Sequence, residues 1–186
     1  MAQKILAFAG SLRSGSFNKK LVRIAAEGAR AAGAEVTEVD LRDIPMPLFD
    51  GDIEHEQGLP PNAKLFKRLL IEHKGILISS PEYNTAMTAV LKNAIDWASR
   101  PPEQPFDGKP IGVMGASAGA MGTGRAQYHL RQCFVFLNGL VMTRPEVMIP
   151  AAQNKFDAEG KLTDQATRDF IIAHLAAFKA WVLRLK

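Results

Sequence analysis

Two rhythms of apolar and polar positions alternate along this chain. KILAFAG, residues 4–10, is almost wholly apolar, and beyond it Leu21, Ile24, Ala25, Gly28 and Ala32 recur at helical spacing. A strand followed by an amphipathic helix is predicted there, with Gly33 as the stop. EVTEVD, residues 35–40, alternates like a second strand. PPNAKLFKRLLIEH opens on prolines, a good helix start, and holds Leu65, Leu69 and Glu72 at helical spacing. GILISS is a short continuous apolar run, as in a strand buried on both faces. Met87, Val90, Leu91, Ala94 and Ala98 mark another helix, ended before Pro101 and Pro102. PIGVMGAS reads as a fourth strand, and Ala126, Leu130, Cys133, Phe134 and Leu137 as the face of the next helix, capped at Gly139. LVMTR is a short fifth strand, and Ile171, Leu175, Phe178, Val182 and Leu185 line a terminal helix. DIPMPLFDGD is too rich in proline for a regular element and is expected to loop towards a neighbour.

Five strands alternating with five helices predict a parallel sheet covered on both faces, an α/β doubly wound domain. Ligands of such sheets bind at the carboxyl ends of the strands, near the point where strand order reverses. The loops after strands one, three and four are therefore the candidate site.

Composition narrows the class without changing this picture. The 186 residues suit one domain; 47% are hydrophobic and 23% charged, as in ordinary globular proteins. No apolar run approaches the ~20 residues of a membrane span, and MAQKILAFAGSLR lacks the pattern of a signal peptide. The lone Cys133 excludes an internal disulfide, and a cytoplasmic setting is expected. A net charge of +4 favours anions, but no Lys/Arg run with interleaved aromatics points to nucleic acid. The four histidines show no zinc spacing, and His129 with Cys133 makes at most a two-ligand pair.

GSLRSGSFN, residues 10–18, is the most informative of the three loops. A helix start offers unpaired N–H groups and a positive dipole end. Small residues let an anion approach them, Ser11, Ser14, Ser16 and Asn18 add donors, and Arg13 adds charge. That set suits a phosphate monoester, and Ser16 or Asn18 suits an ordinary N-cap equally. Gly10 and Gly15 have P-loop spacing, but Ser16 and Phe17 stand where Lys and Ser or Thr are needed. The dinucleotide fingerprint fails at Leu12, in its second glycine position. In the second loop Pro81 stiffens the turn, and Glu82, Tyr83 and Asn84 offer polar edges and an aromatic surface for a flat heteroaromatic ring. The third contains GASAG, residues 115–119, a match to the G-x-S-x-G nucleophile elbow. A serine hydrolase would pair Ser117 with Asp157 or Asp164 and with His174. That histidine, however, lies at the edge of an apolar helical face, and the first loop would go unexplained.

Taken together, GSLRSGSFN after strand one, PEYN after strand three and LKNAIDW beyond it resemble the NADPH-dependent FMN reductase family. GRAQYHLRQCF resembles its chromate and quinone reductase branch, and the likeness covers nearly the whole chain. It implies a flavodoxin-like three-layer sandwich, a five-stranded parallel sheet in the order 2-1-3-4-5, spanning residues 1–186 as one FMN-binding domain. It implies FMN as cofactor, NADPH or NADH as donor, and ping-pong hydride transfer through FMN to quinones, flavins or oxyanions such as chromate. By the same resemblance Ser11, Arg13, Ser16, Phe17 and Asn18 surround the FMN phosphate. Pro81, Glu82, Tyr83 and Asn84 border the isoalloxazine ring, N–H groups of the Tyr83–Thr85 turn meet its edge, and Ser117 lies by its other side. No side chain is needed as a nucleophile or general base. A homodimer or homotetramer is implied, with Arg125, Tyr128 and Glu146 at a subunit contact, and RAQYHLRQCFVFLNG is indeed unusually apolar for one helix covering a sheet. The rivals are a flavodoxin-like electron carrier, a type that tends to be acidic where this chain is basic, and a nucleotide-binding regulatory module. One departure stands out. The family usually carries Ser-x-Pro-Gly between PEYN and LKNAIDW, and here Ala86, Thr88 and Ala89 occupy those places. Losing the proline removes a fixed helix start and losing the glycine adds a Cβ, so an altered acceptor pocket is expected.

Overall fold

Leu6 and Phe8 lie on one side of the first strand and Ile5, Ala7 and Ala9 on the other, and all five are buried. A strand buried on both faces needs a layer on each. The computed structural model, which describes residues 2–185, supplies both. In chain order the elements are β1 (Lys4–Ala9), α1 (Phe17–Ala31), β2 (Glu35–Asp40), α2 (Gly51–Gln57), α3 (Pro61–Glu72), β3 (Gly75–Ser79) and α4 (Ala89–Ala98). There follow β4 (Pro110–Ala116), α5 (Gly124–Phe136), β5 (Leu140–Val141), β6 (Val147–Ile149), a 3-10 turn at Ala152–Asn154, and α6 (Gln165–Arg184). The strands form one parallel sheet in the order β2-β1-β3-β4-β5, with β6 paired to the carboxyl end of β4. α1 and α6 cover the face carrying Ile5 and Leu77; α3, α4 and α5 cover the face carrying Leu6, Ile76 and Ile78. This is the expected flavodoxin-like order. It reverses between β1 and β3, so a crevice opens at their carboxyl ends.

The sheet edge departs from expectation. LVMTR contributes only Leu140–Val141 to a strand, and the edge resumes at Val147–Ile149, giving six strands rather than five. β5 pairs with Pro110–Ile111 and β6 with Met114–Ala116. Pro145, between them, has no N–H for a ladder. Side chains take the intervening carbonyls: Arg131 Nη1 donates to Met142 O at 2.9 Å, and His174 Nδ1 to Pro145 O at 2.8 Å. His174, expected at the edge of its helical face, is 1% exposed.

α3 is also rotated from the expected face. Ala63, Phe66 and Leu70 are buried, Leu65 and Leu69 are half-buried, and Glu72 is exposed. The bulkiest side chain decides the rotation, since Phe66 meets Phe8 edge-on with ring centroids 5.1 Å apart. DIPMPLFDGD loops as expected to Asp50 and then enters α2, a short helix with no buried residue. The loop is strapped to α4. Asn93 Oδ1 accepts from Phe49 N–H at 2.7 Å, and Asn93 Nδ2 and Trp97 Nε1 both donate to Pro47 O at 2.8 Å. Arg100 Nε then lies 2.8 and 2.9 Å from the two carboxylate oxygens of Glu54. The Asn and Trp of LKNAIDW, one helical turn apart, thus serve the strap. α4 starts without the missing proline because Thr88 is its N-cap, its Oγ1 accepting from Leu91 N–H at 3.3 Å. Among the described residues no helix is long and apolar enough to cross a membrane.

Candidate functional site

The crevice at the carboxyl ends of β1, β3 and β4 is a cleft of about 190 Å³. Ser11, Arg13, Ser16, Phe17, Asn18, Pro81, Glu82, Tyr83 and Ser117 line it, so nine of the ten site residues singled out in the sequence meet there. Asn84 does not line it; Ala116 and Ala118 do, and their small side chains gave no signal of their own in the sequence.

The first loop is rich in unspent donors. The Arg13 N–H reaches Ser11 Oγ at 3.4 Å. Among the described residues the N–H groups of Ser11, Leu12, Ser14, Gly15, Ser16 and Phe17 have no acceptor in the chain. Ser16 is the N-cap of α1, its Oγ accepting from the N–H groups of Asn18 and Lys19. Arg13 is exposed, while Ser11 and Ser16 are buried. A bend of free amides at a helix start, with a guanidinium beside it, has the chemistry of an anion cradle. Two residues read as parts of that cradle have structural duties. Phe17 stacks on Phe156 with centroids 5.7 Å apart. Asn18 is 4% exposed; its Nδ2 donates to Ala116 O (2.8 Å), and its Oδ1 accepts from Ala116 N–H (3.0 Å) and Ser79 Oγ (2.9 Å). Its amide therefore ties α1 to β3 and β4, with one of its two Nδ2 hydrogens engaged on Ala116 O.

The second loop closes as a tight turn. Tyr83 and Ala86 exchange both backbone hydrogen bonds, and Asn84 and Thr85 between them have φ of 50° and 65°. Two successive left-handed residues are what a type I′ turn requires, and a β-branched threonine is strained there. The Tyr83 N–H, expected to serve a ring edge, is spent on Ala86 O, so Asn84 and Thr85 keep the outward donors. Glu82 acts at a distance: its Oε2 accepts from Ala126 N–H at 3.0 Å. Thr123, the N-cap position of α5, makes no side-chain cap bond, its Oγ1 being taken by Gln127 Nε2 at 3.0 Å. Glu82 thus caps α5 from another loop, where the helix dipole favours a carboxylate. A cap from 44 residues away leaves no local spacing to find.

The third loop folds back tightly over β4. A Cβ on Gly115 would lie 2.0 Å from Thr123 Oγ1 and 2.4 Å from Ser80 O, so only glycine fits. Ser117 Oγ donates to Gly122 O and accepts from Gly119 N–H at 3.2 Å. Every member of the hydrolase constellation is engaged elsewhere. Asp157 accepts from Lys161 N–H, Asp164 caps α6 and pairs with Lys155, and His174 Nδ1 is held by Pro145 O. A larger apolar cavity of about 360 Å³ lies under the amino ends of the strands, lined by Ile5, Leu175 and Phe178. That is the end of a parallel sheet where ligands do not bind.

The sequence model for NADPH-dependent FMN reductases matches residues 3–154. This chain belongs to that family. It is 48% identical over 183 residues to an NAD(P)H-dependent FMN reductase of Pseudomonas aeruginosa, covering 98% of this chain and 97% of the relative. It is 40% identical over 184 residues to the quinone reductase of Escherichia coli K12, again across 98% and 97% of the two chains. Among solved structures, a flavoenzyme NAD(P)H:(acceptor) oxidoreductase of Paracoccus denitrificans superposes with a TM-score of 0.86 at 28% identity, over 98% of each chain. Membership carries the flavodoxin-like fold, FMN as the cofactor and NAD(P)H as the electron donor.

Proposed function

We propose that this protein passes electrons from NAD(P)H to quinones and free flavins by way of FMN held in the cleft. The observation that carries this reading is that, among the described residues, the N–H groups of Ser11, Leu12 and Ser14 to Phe17, at the start of α1, have no acceptor in the chain. Bound FMN would supply the redox chemistry, accepting hydride from the nicotinamide and returning electrons to the acceptor. The chain's own residues bind and orient. The free amides of Ser11, Leu12 and Ser14 to Phe17 and the Ser11 and Ser16 hydroxyls would hold the phosphate, and Arg13 would offset its charge. Phe17 and Asn18 hold the loop in place, through the Phe156 stack and the Ala116 bridge. Pro81, Glu82, Tyr83 and Asn84 would border the ring, the N–H groups of Asn84 and Thr85 would be available to its edge, and Ser117 would shape the other side. No side chain is assigned as a nucleophile or general base.

The cleft is smaller than the about 300–1,000 Å³ of enclosed ligand sites. It can take the phosphate end and leave the ring on an open rim beside half-exposed Tyr83. An open ring face admits acceptors of varied shape, in keeping with the quinone and FMN reductases among the relatives. Chromate belongs to the same proposal, drawn by exposed Arg13 and the net charge of +4.

The proposal extends to a cytoplasmic setting, where NAD(P)H is the common reductant, and to a homodimer, singly or paired as a homotetramer. α5 exposes Tyr128, Val135 and Phe136 on one stripe, the last two at 81% and 93%. Arg125 is exposed and Glu146 half-buried; the Glu146 carboxylate raises the Tyr128 pKa above its ordinary value.

An absorption spectrum before and after anaerobic NADPH tests the main reading. Flavin bands that bleach with about one equivalent of NADPH are expected for direct cofactor reduction. A colourless protein that takes up no added FMN would overturn it.

A further inference from the structure

The first and second loops of the cleft are joined by one buried hydroxyl. Thr88, 2% exposed, donates from Oγ1 to the Gly10 carbonyl at 2.6 Å while the same oxygen accepts from Leu91 N–H. A hydroxyl has one hydrogen and two lone pairs, so both bonds form together. On its other side Gly10 is fixed by its N–H, which donates to Ser79 O at 2.9 Å. A Cβ on Gly10 would lie 2.9 Å from the Leu91 side chain, so this corner has no room to shift towards α4. Gly10 C=O and Ser11 N–H belong to one planar trans peptide and therefore point in opposite directions. Holding the carbonyl on Thr88 turns the Ser11 N–H away from α4. Ser11 lines the cleft, and among the described residues its N–H has no acceptor.

We propose that Thr88 is a positioning residue for the phosphate cradle: through the Gly10 carbonyl it sets the direction of the Ser11 amide, the first donor of the loop. The hydroxyl does not touch the ligand; it fixes a peptide plane that does. This rests on the reading of the cleft as the FMN site. It adds that affinity for the phosphate is tuned from the segment bearing the second loop, by a residue in the place of the family's usual proline. Thr88 thus serves two ends at once, starting α4 and aiming the cradle.

The test compares the flavin-free full-length protein with Thr88→Val and Thr88→Ser, titrating each with FMN and with riboflavin, which lacks the phosphate, by flavin fluorescence. Thr88→Val keeps the shape and removes the hydrogen. FMN affinity is expected to fall about ten-fold, the scale of one buried hydrogen bond, with riboflavin affinity unchanged. Thr88→Ser is expected to restore the FMN preference to within about two-fold of the wild type, since it keeps the hydroxyl. Equal losses for the two ligands, or no loss for FMN, would overturn the inference. Should Thr88→Val not fold, the wild-type protein decides by amide NMR: the Ser11 proton is expected to move downfield with FMN and not with riboflavin, and an unmoved Ser11 signal overturns the inference. Wild-type protein that binds no FMN overturns the functional reading itself and this inference with it.

Discussion

Asn18 shows how a side chain that lines a cleft can also be tied into the structure around it. Its position in a Ser/Gly-rich bend at a helix start marks it as a donor near the cleft, and it does line the cleft. Its amide, however, makes three buried hydrogen bonds to Ala116 and Ser79, partners 98 and 61 residues away in the chain. No local pattern announces such a partner. The consequence is testable without any flavin. Asn18→Ala would strand the Ala116 N–H and C=O and the Ser79 hydroxyl in a dry interior. Each stranded group costs about 1–3 kcal/mol, partly recovered by water or relaxation. A net loss of about 3 kcal/mol corresponds to a melting temperature lower by roughly 6–12 °C in a domain of this size. Thermal unfolding of the flavin-free variant measures it. A melt within 2 °C of the wild type, with only FMN affinity reduced, would return Asn18 to the role of a simple ligand. Glu82 and Thr88 teach the same lesson: their residue types were visible, whereas their partners, Ala126 N–H and Gly10 O, are brought to them by the sheet.

The regular elements were legible wherever burial is simple. β3 and β4 are almost wholly apolar because both faces are covered, and α1 and α6 show their buried faces because each packs on one face of the sheet. Legibility ends where side chains replace ladder bonds. The break between β5 and β6 depends on Arg131 and His174 reaching carbonyls from two helices, and α2 is anchored by Arg100 rather than by a buried face. His174 makes the break sensitive to pH. A carbonyl can only accept, so Nδ1 carries the hydrogen and Nε2 is a bare acceptor without a partner among the described residues. Burial pushes the imidazole pKa below its ordinary value, outweighing the Pro145 carbonyl, which favours the protonated ring; the Arg131 charge pushes the same way as burial. Above about pH 6.5 both folded and unfolded chains keep this ring neutral. As pH falls through that value the unfolded chain takes up a proton that the folded chain refuses, so stability is lost on acidification. His174→Asn retains an N–H for Pro145 O and cannot ionise. It is expected to melt lower than the wild type at pH 8 but to lose less between pH 7 and pH 5. Parallel melting curves against pH for the two proteins would remove His174 from the acid response.

On α5 the three layers leave a surface that the fold of a single chain does not account for. α5 buries Ala126, Leu130 and Phe134 against the sheet, and these recur every four residues. Tyr128, Val135 and Phe136, at positions i, i+7 and i+8, lie exposed on the outside. An apolar stripe facing water on a helix that already has a buried face is the sign of a partner. The sequence foreshadowed it in the density of aromatic and aliphatic residues along RAQYHLRQCFVFLNG, although only the fold separates the inner stripe from the outer. A second copy of the chain is the occupant we propose, because one patch can serve both partners across a two-fold axis. Phe136, 93% exposed, is the most informative position, since little of its side chain is buried within the chain. Phe136→Glu would bring two carboxylates into the shared apolar patch and is expected to convert a dimer into monomers, or a tetramer into dimers held by its other interface. Its far-UV circular dichroism should be unchanged and its melting temperature lowered only by the lost association. Sedimentation velocity at micromolar concentration reads the mass directly. A variant that keeps the wild-type mass would move the interface away from α5, and a wild-type chain already monomeric at those concentrations would refute the assembly outright. The cleft lies at the carboxyl ends of the strands, where α5 begins, and Glu82 of the cleft caps α5. Monomeric Phe136→Glu protein therefore also tests whether the amide cradle of α1 is complete in one chain. Its FMN affinity should match that of the wild type, because every donor from Ser11 to Phe17 comes from the same loop.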